Sequence, residues 1–219
     1  MEHPLSQFRF CPKCGSSRFV EHNQKSKHCE ACGFTYYFNP SAATVAVIVR
    51  GEWREDGGEW IVDGGERNVL ENQEAKQSSI HYPLSTIHPS PFSLLVVRRA
   101  KEPAKGTLDL PGGFSDMFET SEEGVRREVK EETGLDVTDT KFLFSLPNQY
   151  LYSGFLVHTI DMFYLCRVDE TQQLKAMDDA EEALWIPLQD LRPEQFGLTS
   201  IRKGVERFLA NFPIYIMYK

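Results

Sequence analysis

Apolar residues fall into short runs separated by polar and glycine-rich stretches, and the spacing within each run points to an element. Ala42-Ala43-Thr44-Val45-Ala46-Val47-Ile48-Val49 is apolar and β-branched almost throughout, the composition of a strand buried on both faces. Residues 92–97 repeat the pattern. Thr107-Leu108-Asp109-Leu110 forms a shorter strand running into Pro111-Gly112-Gly113. Further strands are expected over 141–146, 159–168 and 184–186. Helical spacing occurs twice. A polar helix is expected from Ser121, whose hydroxyl can cap its start, to Gly134. A second, over 199–211, aligns Ile201, Val205, Phe208 and Leu209 in one apolar stripe. Strands before and after two well-spaced helices predict an α+β fold built on a mixed sheet.

Two stretches stand outside this pattern. Residues 51–91 carry Gly57-Gly58, Gly64-Gly65, Pro83, Pro89 and Pro91, and are expected to be an insertion with mobile parts. Residues 1–40 hold four of the five cysteines, as Cys11-Pro12-Lys13-Cys14-Gly15 and Cys29-Glu30-Ala31-Cys32-Gly33. A two-residue gap lets both thiolates of a pair turn onto one ion, and two such pairs supply a closed tetrahedral zinc site. Disulfides are disfavoured, because Met1-Glu2-His3-Pro4 lacks the pattern of a secretory signal. A zinc ribbon over 1–40 followed by a second domain over 41–219 is therefore expected. Cys166, inside the run Met162-Phe163-Tyr164-Leu165-Cys166, is expected to be a small buried hydrophobe.

Composition narrows the setting. The chain has 219 residues, 41% of them hydrophobic, which suffices for a packed core. No apolar run approaches the roughly eighteen residues needed to cross a bilayer, so a cytoplasmic protein is expected. The net charge of −8 argues against a general nucleic-acid binder. Much of that charge is local: residues 116–136 hold eight acidic and three basic side chains.

The local excess has a pattern. Residues 113–135 run Gly113, five residues, Glu119, seven residues, then Arg127-Glu128-Val129-Lys130-Glu131-Glu132-Thr133-Gly134-Leu135. On a helix Glu128, Glu131 and Glu132 stand at i, i+3 and i+4, so three carboxylates share one face. Their repulsion makes sense if divalent cations neutralise it, and hard oxygen ligands suit Mg²⁺ or Mn²⁺. A solvated acidic face is the plainer alternative. Arg127 is placed to pair with Glu119, and Gly112-Gly113 brings bare backbone alongside.

This segment matches every fixed position of the Nudix box, and the chain resembles the Nudix hydrolases, which cleave nucleoside diphosphates linked to another moiety. The resemblance implies an α/β/α sandwich around a mixed sheet. It implies that Glu128, Glu131 and Glu132 bind the catalytic metal, that one of them or a neighbouring acid is the base, that Arg127 and Glu119 orient the helix, and that the Gly112 carbonyl is a further ligand. With a zinc ribbon in front, the chain is similar to the NADH pyrophosphatases, in which a further domain precedes the ribbon. Their Ser-Gln-Pro-Trp-Pro-Phe-Pro-any-Ser motif falls at 145–153, where Ser145, Pro147 and Ser153 match and Tyr150 replaces Phe. The resemblance makes Phe114, Ser145, Tyr150, Asp179 and Glu182 substrate-binding residues; a core role for Phe114 and a solvated loop over 178–182 are the alternatives. NADH or NAD⁺ is the substrate expected first and ADP-ribose second, with a non-catalytic nucleotide sensor as the rival and a homodimer as the implied assembly.

Overall fold

The computed structural model describes residues 3–51, 92–178 and 180–217. All of the expected insertion but Gly51 lies outside the described residues.

The chain opens on a small antiparallel sheet of β1 (Phe19–Asn23), β2 (Ser26–Cys29) and β3 (Thr35–Tyr37). Each cysteine pair turns tightly, with the N–H of Gly15 donating to the Cys11 carbonyl and that of Gly33 to the Cys29 carbonyl, both at 2.8 Å. Positive φ values of 74° and 73° at these glycines explain why glycine follows each pair.

The main sheet is built on β4 (Ser41–Arg50), the doubly buried strand. Near its end β4 pairs antiparallel with β5 (Ser93–Arg99), which in turn carries β6 (Leu108–Asp109). Near its start it pairs with β7 (Gly112–Phe114), and helix α1 (Ser121–Thr133) follows. Strand β8 (Val137–Tyr152) leads back through β9 (Phe155–Val168), which lies parallel to β4 from Ser41 opposite Thr159 to Ile48 opposite Cys166. Edge strand β10 (Ala180–Pro187) pairs with β5, and α2 (Thr199–Met217) closes the described chain. The sheet is mixed and each face carries a helix, the expected sandwich.

Alternation along the strands sorts the core into two layers. Val45, Val47, Val49, Leu94, Val96 and Phe163 cluster with Ile201, Val205 and Phe208 of α2. Ala46, Ile48, Leu95, Tyr164 and Cys166 cluster with Val125 and Val129 of α1. Cys166 is the buried small residue its setting implied.

The strands expected at 141–146 and 159–168 belong to one long hairpin, β8–β9, closed between Tyr152 and Phe155. Ser153 and Gly154 turn it with φ of 51° and 75°, the signature of a two-residue type I′ connection. Pro147 hides this length in the sequence. A proline is tolerated inside β8 because β8 is the outermost strand of the sheet. The hairpin tip carries the cysteine module: Phe8 and Phe38 meet the Phe155 ring edge-on at 5.4 and 5.5 Å, and Gln7 donates to the Gly154 carbonyl at 3.0 Å.

Helix α2 approaches β9 closely at Gly204, where an added Cβ would lie 2.3 Å from Cε1 of the fully buried Phe163. Gly204→Ala is therefore expected to destabilise the fold. Overpacking costs about 1–3 kcal/mol, against about 1 kcal/mol of helix propensity gained. Calorimetry should record a melting temperature lowered by a few degrees; a higher one would show that the Phe163 ring moves aside.

Candidate active site

Helix α1 starts at Ser121 as expected, but its cap lies one residue earlier. The cap is Thr120, not Ser121: the Thr120 hydroxyl accepts the Glu123 N–H, and the Glu123 carboxylate accepts the Thr120 N–H at 2.7 Å. Ser121 already belongs to the helix, and its hydroxyl is engaged by the Tyr164 hydroxyl at 2.5 Å. Hydrogen bonds from Thr120 hold the Glu123 carboxyl below its usual range. Val125 and Val129, on the side of α1 next to Glu128 and Glu132, anchor the helix in the core, which fixes the direction of its acids. Glu132 is buried, Glu128 half-buried and Glu131 exposed, so the three carboxylates grade from interior to solvent across one face.

Arg127 ties this face to the preceding loop. Its guanidinium donates to both Glu119 carboxylate oxygens, at 3.1 and 2.8 Å, to Glu128 at 2.8 Å and to Glu131 at 3.1 Å. It also donates to the Phe114 carbonyl at 2.9 Å. The Glu119 hydrogen bonds raise the Arg127 pKa, and in return Arg127 holds the Glu119 carboxyl low. The Arg127–Glu119 pair expected from the sequence is present.

The Gly112-Gly113 backbone lies against the acids because neither residue has a side chain. A Cβ on Gly113 would sit 2.5 Å from a Glu128 carboxylate oxygen, and one on Gly112 would meet the Thr44 carbonyl at 2.1 Å. The Gly112 N–H donates to Glu132 at 3.1 Å. Burial, reinforced by Asp109 nearby, pushes the Glu132 carboxyl up to about 9. Burial also raises Glu128, with Arg127 opposing it.

A cleft of about 370 Å³ opens beside this backbone. Gly112, Gly113, Phe114 and Glu132 line one part of it, Asn148 and Tyr150 of β8 another. The Phe114 and Tyr150 rings are 6.5 Å apart with planes inclined at 42°. Phe114 is 45% exposed, which excludes the core role.

Two expected substrate-binding residues do not join the cleft. Ser145 is exposed on the face of β8 opposite Asn148, since strand alternation turns it away. Glu182, on β10, forms a surface ion pair with Arg98 at 2.9 Å. Asp179 lies outside the described residues.

The cleft also holds polar groups that the sequence did not single out: Arg99 paired with Asp109 at 2.5 Å, and Asn148, Thr159 and Asp161. The available signal was an ionisable residue inside an apolar strand, as in Leu108-Asp109-Leu110 and Ile160-Asp161-Met162.

Residues 88–210 match the family model of the NUDIX domain. The chain belongs to the NUDIX family. Among similar proteins is the ADP-ribose pyrophosphatase of Methanocaldococcus jannaschii, 37% identical over 117 residues, which are 52% of this chain and 66% of that protein. The NAD-capped RNA hydrolase NudC of Vibrio vulnificus is 26% identical over 210 residues, covering 95% of this chain and 62% of the relative. The chain thus spans less than two thirds of the length of either relative in these matches. A NUDIX hydrolase from Nitrosomonas europaea shares the fold, with a TM-score of 0.58 at 16% identity over 93% of this chain and 91% of that one.

The donor sets can be tested against metals. The Sγ atoms of Cys11, Cys14, Cys29 and Cys32 all lie within 4.8 Å of one another, with Cys11–Cys32 at 3.8 Å and Cys14–Cys29 at 3.6 Å. A tetrahedron of sulfurs about 2.3 Å from zinc has edges of about 3.8 Å, so the four thiols fit a structural zinc. In the NUDIX helix, Glu128 and Glu131 turn to Arg127 and do not converge with Glu132 as the thiols do. Their chemistry still fits a hard dication: Glu128 and Glu132 are carboxyl groups drawn out of water by burial, and a bound dication would favour their ionised form.

Elemental analysis of the purified protein is expected to give one zinc per chain, and Cys29→Ser to remove most of it. Full zinc occupancy in that variant would contradict the four-thiolate site.

Proposed function

We propose that this NUDIX protein is a divalent-metal-dependent pyrophosphohydrolase that cleaves ADP linked to a ribosyl group, with ADP-ribose as its first substrate. The observation that carries the proposal is continuity. Buried Glu132, the bare Gly112-Gly113 backbone and the Phe114–Tyr150 ring pair all border one cleft. A diphosphate lying over the glycines would have its nucleobase within reach of the rings and its scissile bond beside the acids.

Each residue then has a task. Glu128, Glu131 and Glu132 would hold Mg²⁺ or Mn²⁺, with the Gly112 carbonyl as a further oxygen donor. When bound, the dication would offset the diphosphate charge and ease ionisation of the attacking water. Arg127 and Glu119 keep the acid face and the loop in one geometry, so that the carboxylates need little rearrangement. A carboxylate of this face takes the proton from water as its oxygen attacks phosphorus and the bridging P–O bond breaks. Phe114 and Tyr150 flank the flat ring of the adenine, a sequence-tolerant contact that accepts other planar groups.

ADP-ribose precedes NADH because residues 145–152 lie in plain strand, where the NADH pyrophosphatases have a proline-rich motif. The 37% identity to the ADP-ribose pyrophosphatase, over 117 residues, supports the same order. NADH or NAD⁺ is the second reading, favoured by the match to NudC along 95% of the chain, cysteine module included.

Glu131→Gln and Glu128→Gln test the assignment. Both are expected to lower kcat on ADP-ribose with Mg²⁺ by about 10²-fold or more while leaving nucleotide binding within a few-fold. Unchanged turnover in both variants would remove these acids from the reaction.

A further inference from the structure

Away from the acid helix, the cleft is walled by polar groups that the hydrolysis itself does not use. Asp161 on β9 is 4% exposed, and each of its oxygens is held by a hydroxyl: Oδ1 accepts from Thr159 at 2.5 Å and Oδ2 from Ser200. Ser200, fully buried in the first turn of α2, sits where a helix N-terminus favours a carboxylate. No cation pairs with Asp161 among the described residues, whereas Arg99 answers its neighbour Asp109. Asn148 stands directly opposite Thr159 across the β8–β9 ladder, on the same face of the sheet. It is 6% exposed, and its side-chain carbonyl oxygen is buried with no hydrogen-bond partner.

The balance of donors and acceptors in this wall is one-sided. The Thr159 and Ser200 hydroxyl protons are both committed to Asp161, so each Asp161 oxygen keeps only an acceptor position. The Asn148 oxygen adds another. A wall of buried acceptors is built for a ligand that brings O–H or N–H donors, since an unanswered buried acceptor is costly. A metal ion is the poorer occupant, because Asp161, Asp109 and Glu132 do not converge to a common point as the four thiols do. Paired hydroxyls on adjacent sugar carbons match a carboxylate with two free lone pairs, the way an acidic residue holds a ribose.

We propose that Asp161, fixed by Thr159 and Ser200 and assisted by Asn148, binds the vicinal diol of the ribose on the distal phosphate. This inference rests on the reading of the cleft as the seat of a nucleoside diphosphate, and it makes Asp161 a specificity-determining residue. The site selects sugar-linked diphosphates over those whose second moiety lacks paired hydroxyls.

The test separates binding from cleavage. Calorimetry would compare α,β-methylene ADP-ribose, in which carbon replaces the bridging oxygen, with the same compound lacking the 2″ and 3″ hydroxyls. The wild-type protein is expected to prefer the diol by about tenfold or more. Asp161→Asn should shrink that preference to about twofold, at an unchanged affinity for the dideoxy compound. Asn148→Ala, a milder change, should reduce it partway, and thermal melts would establish that both variants fold. Equal binding of the two compounds by the wild type, or a preference that survives Asp161→Asn, overturns the assignment. If the preference behaves as expected but ADP-ribose is not hydrolysed, the hydrolase reading falls and the diol site stands. Hydrolysis without the preference gives the converse.

Discussion

Arg127 holds together a helix face that its own charges would push apart. Four hydrogen bonds from one guanidinium reach Glu119, Glu128 and Glu131, and a fifth reaches the Phe114 carbonyl. Glu128 and Glu131 stand one turn apart or less, where like charges destabilise a helix. A single cation at the junction of helix and loop offsets that repulsion while leaving an excess of negative charge. This excess is what a hard dication would meet. The same guanidinium, through the Phe114 carbonyl, fixes the backbone from which the Phe114 ring projects.

The sheet supplies the second constraint. β4 is buried on both faces, with α1 packed on one and α2 on the other. β7 pairs with its start, bringing Gly112-Gly113 against the acids from below. Any side chain at these positions would collide with Glu128 or with the Thr44 carbonyl. Backbone, acid face and ring pair are therefore set by rigid elements, not by a loop, which is the arrangement that keeps a reacting geometry close to its productive form. The long β8–β9 hairpin completes the cleft from the other side, and its tip carries the cysteine module through Phe155.

Local features were legible in the sequence. The box spacing located α1, its aligned acids and the Arg127–Glu119 pair, because these are neighbours along a few turns of chain. The cysteine pairs likewise carry their geometry in their spacing. The cap shifted by one residue, since Thr120 and Ser121 offer the same hydroxyl; what tells them apart is Glu123, three residues after Thr120, which returns the hydrogen bond. What the sequence could not convey was pairing at a distance. Asn148 meets Thr159 only because a polar, proline-bearing segment continues as strand to a turn at Ser153-Gly154. Asp161 meets Ser200 across 39 residues. Ser145 leaves the cleft and Asn148 enters it for the same reason, the two-residue period of a strand whose register the motif alone does not define.

The central claim is that the acid face and the adjoining cleft serve cleavage of a pyrophosphate. The most direct test is to incubate the protein with ADP-ribose, NADH, NAD⁺, flavin dinucleotide and coenzyme A, with Mg²⁺ or Mn²⁺ or with a chelator, and to identify the products by mass. AMP and ribose 5-phosphate are expected from ADP-ribose in the presence of metal, and neither with the chelator. Tight nucleotide binding without cleavage of any compound would contradict the central claim and point to a protein that senses nucleotides.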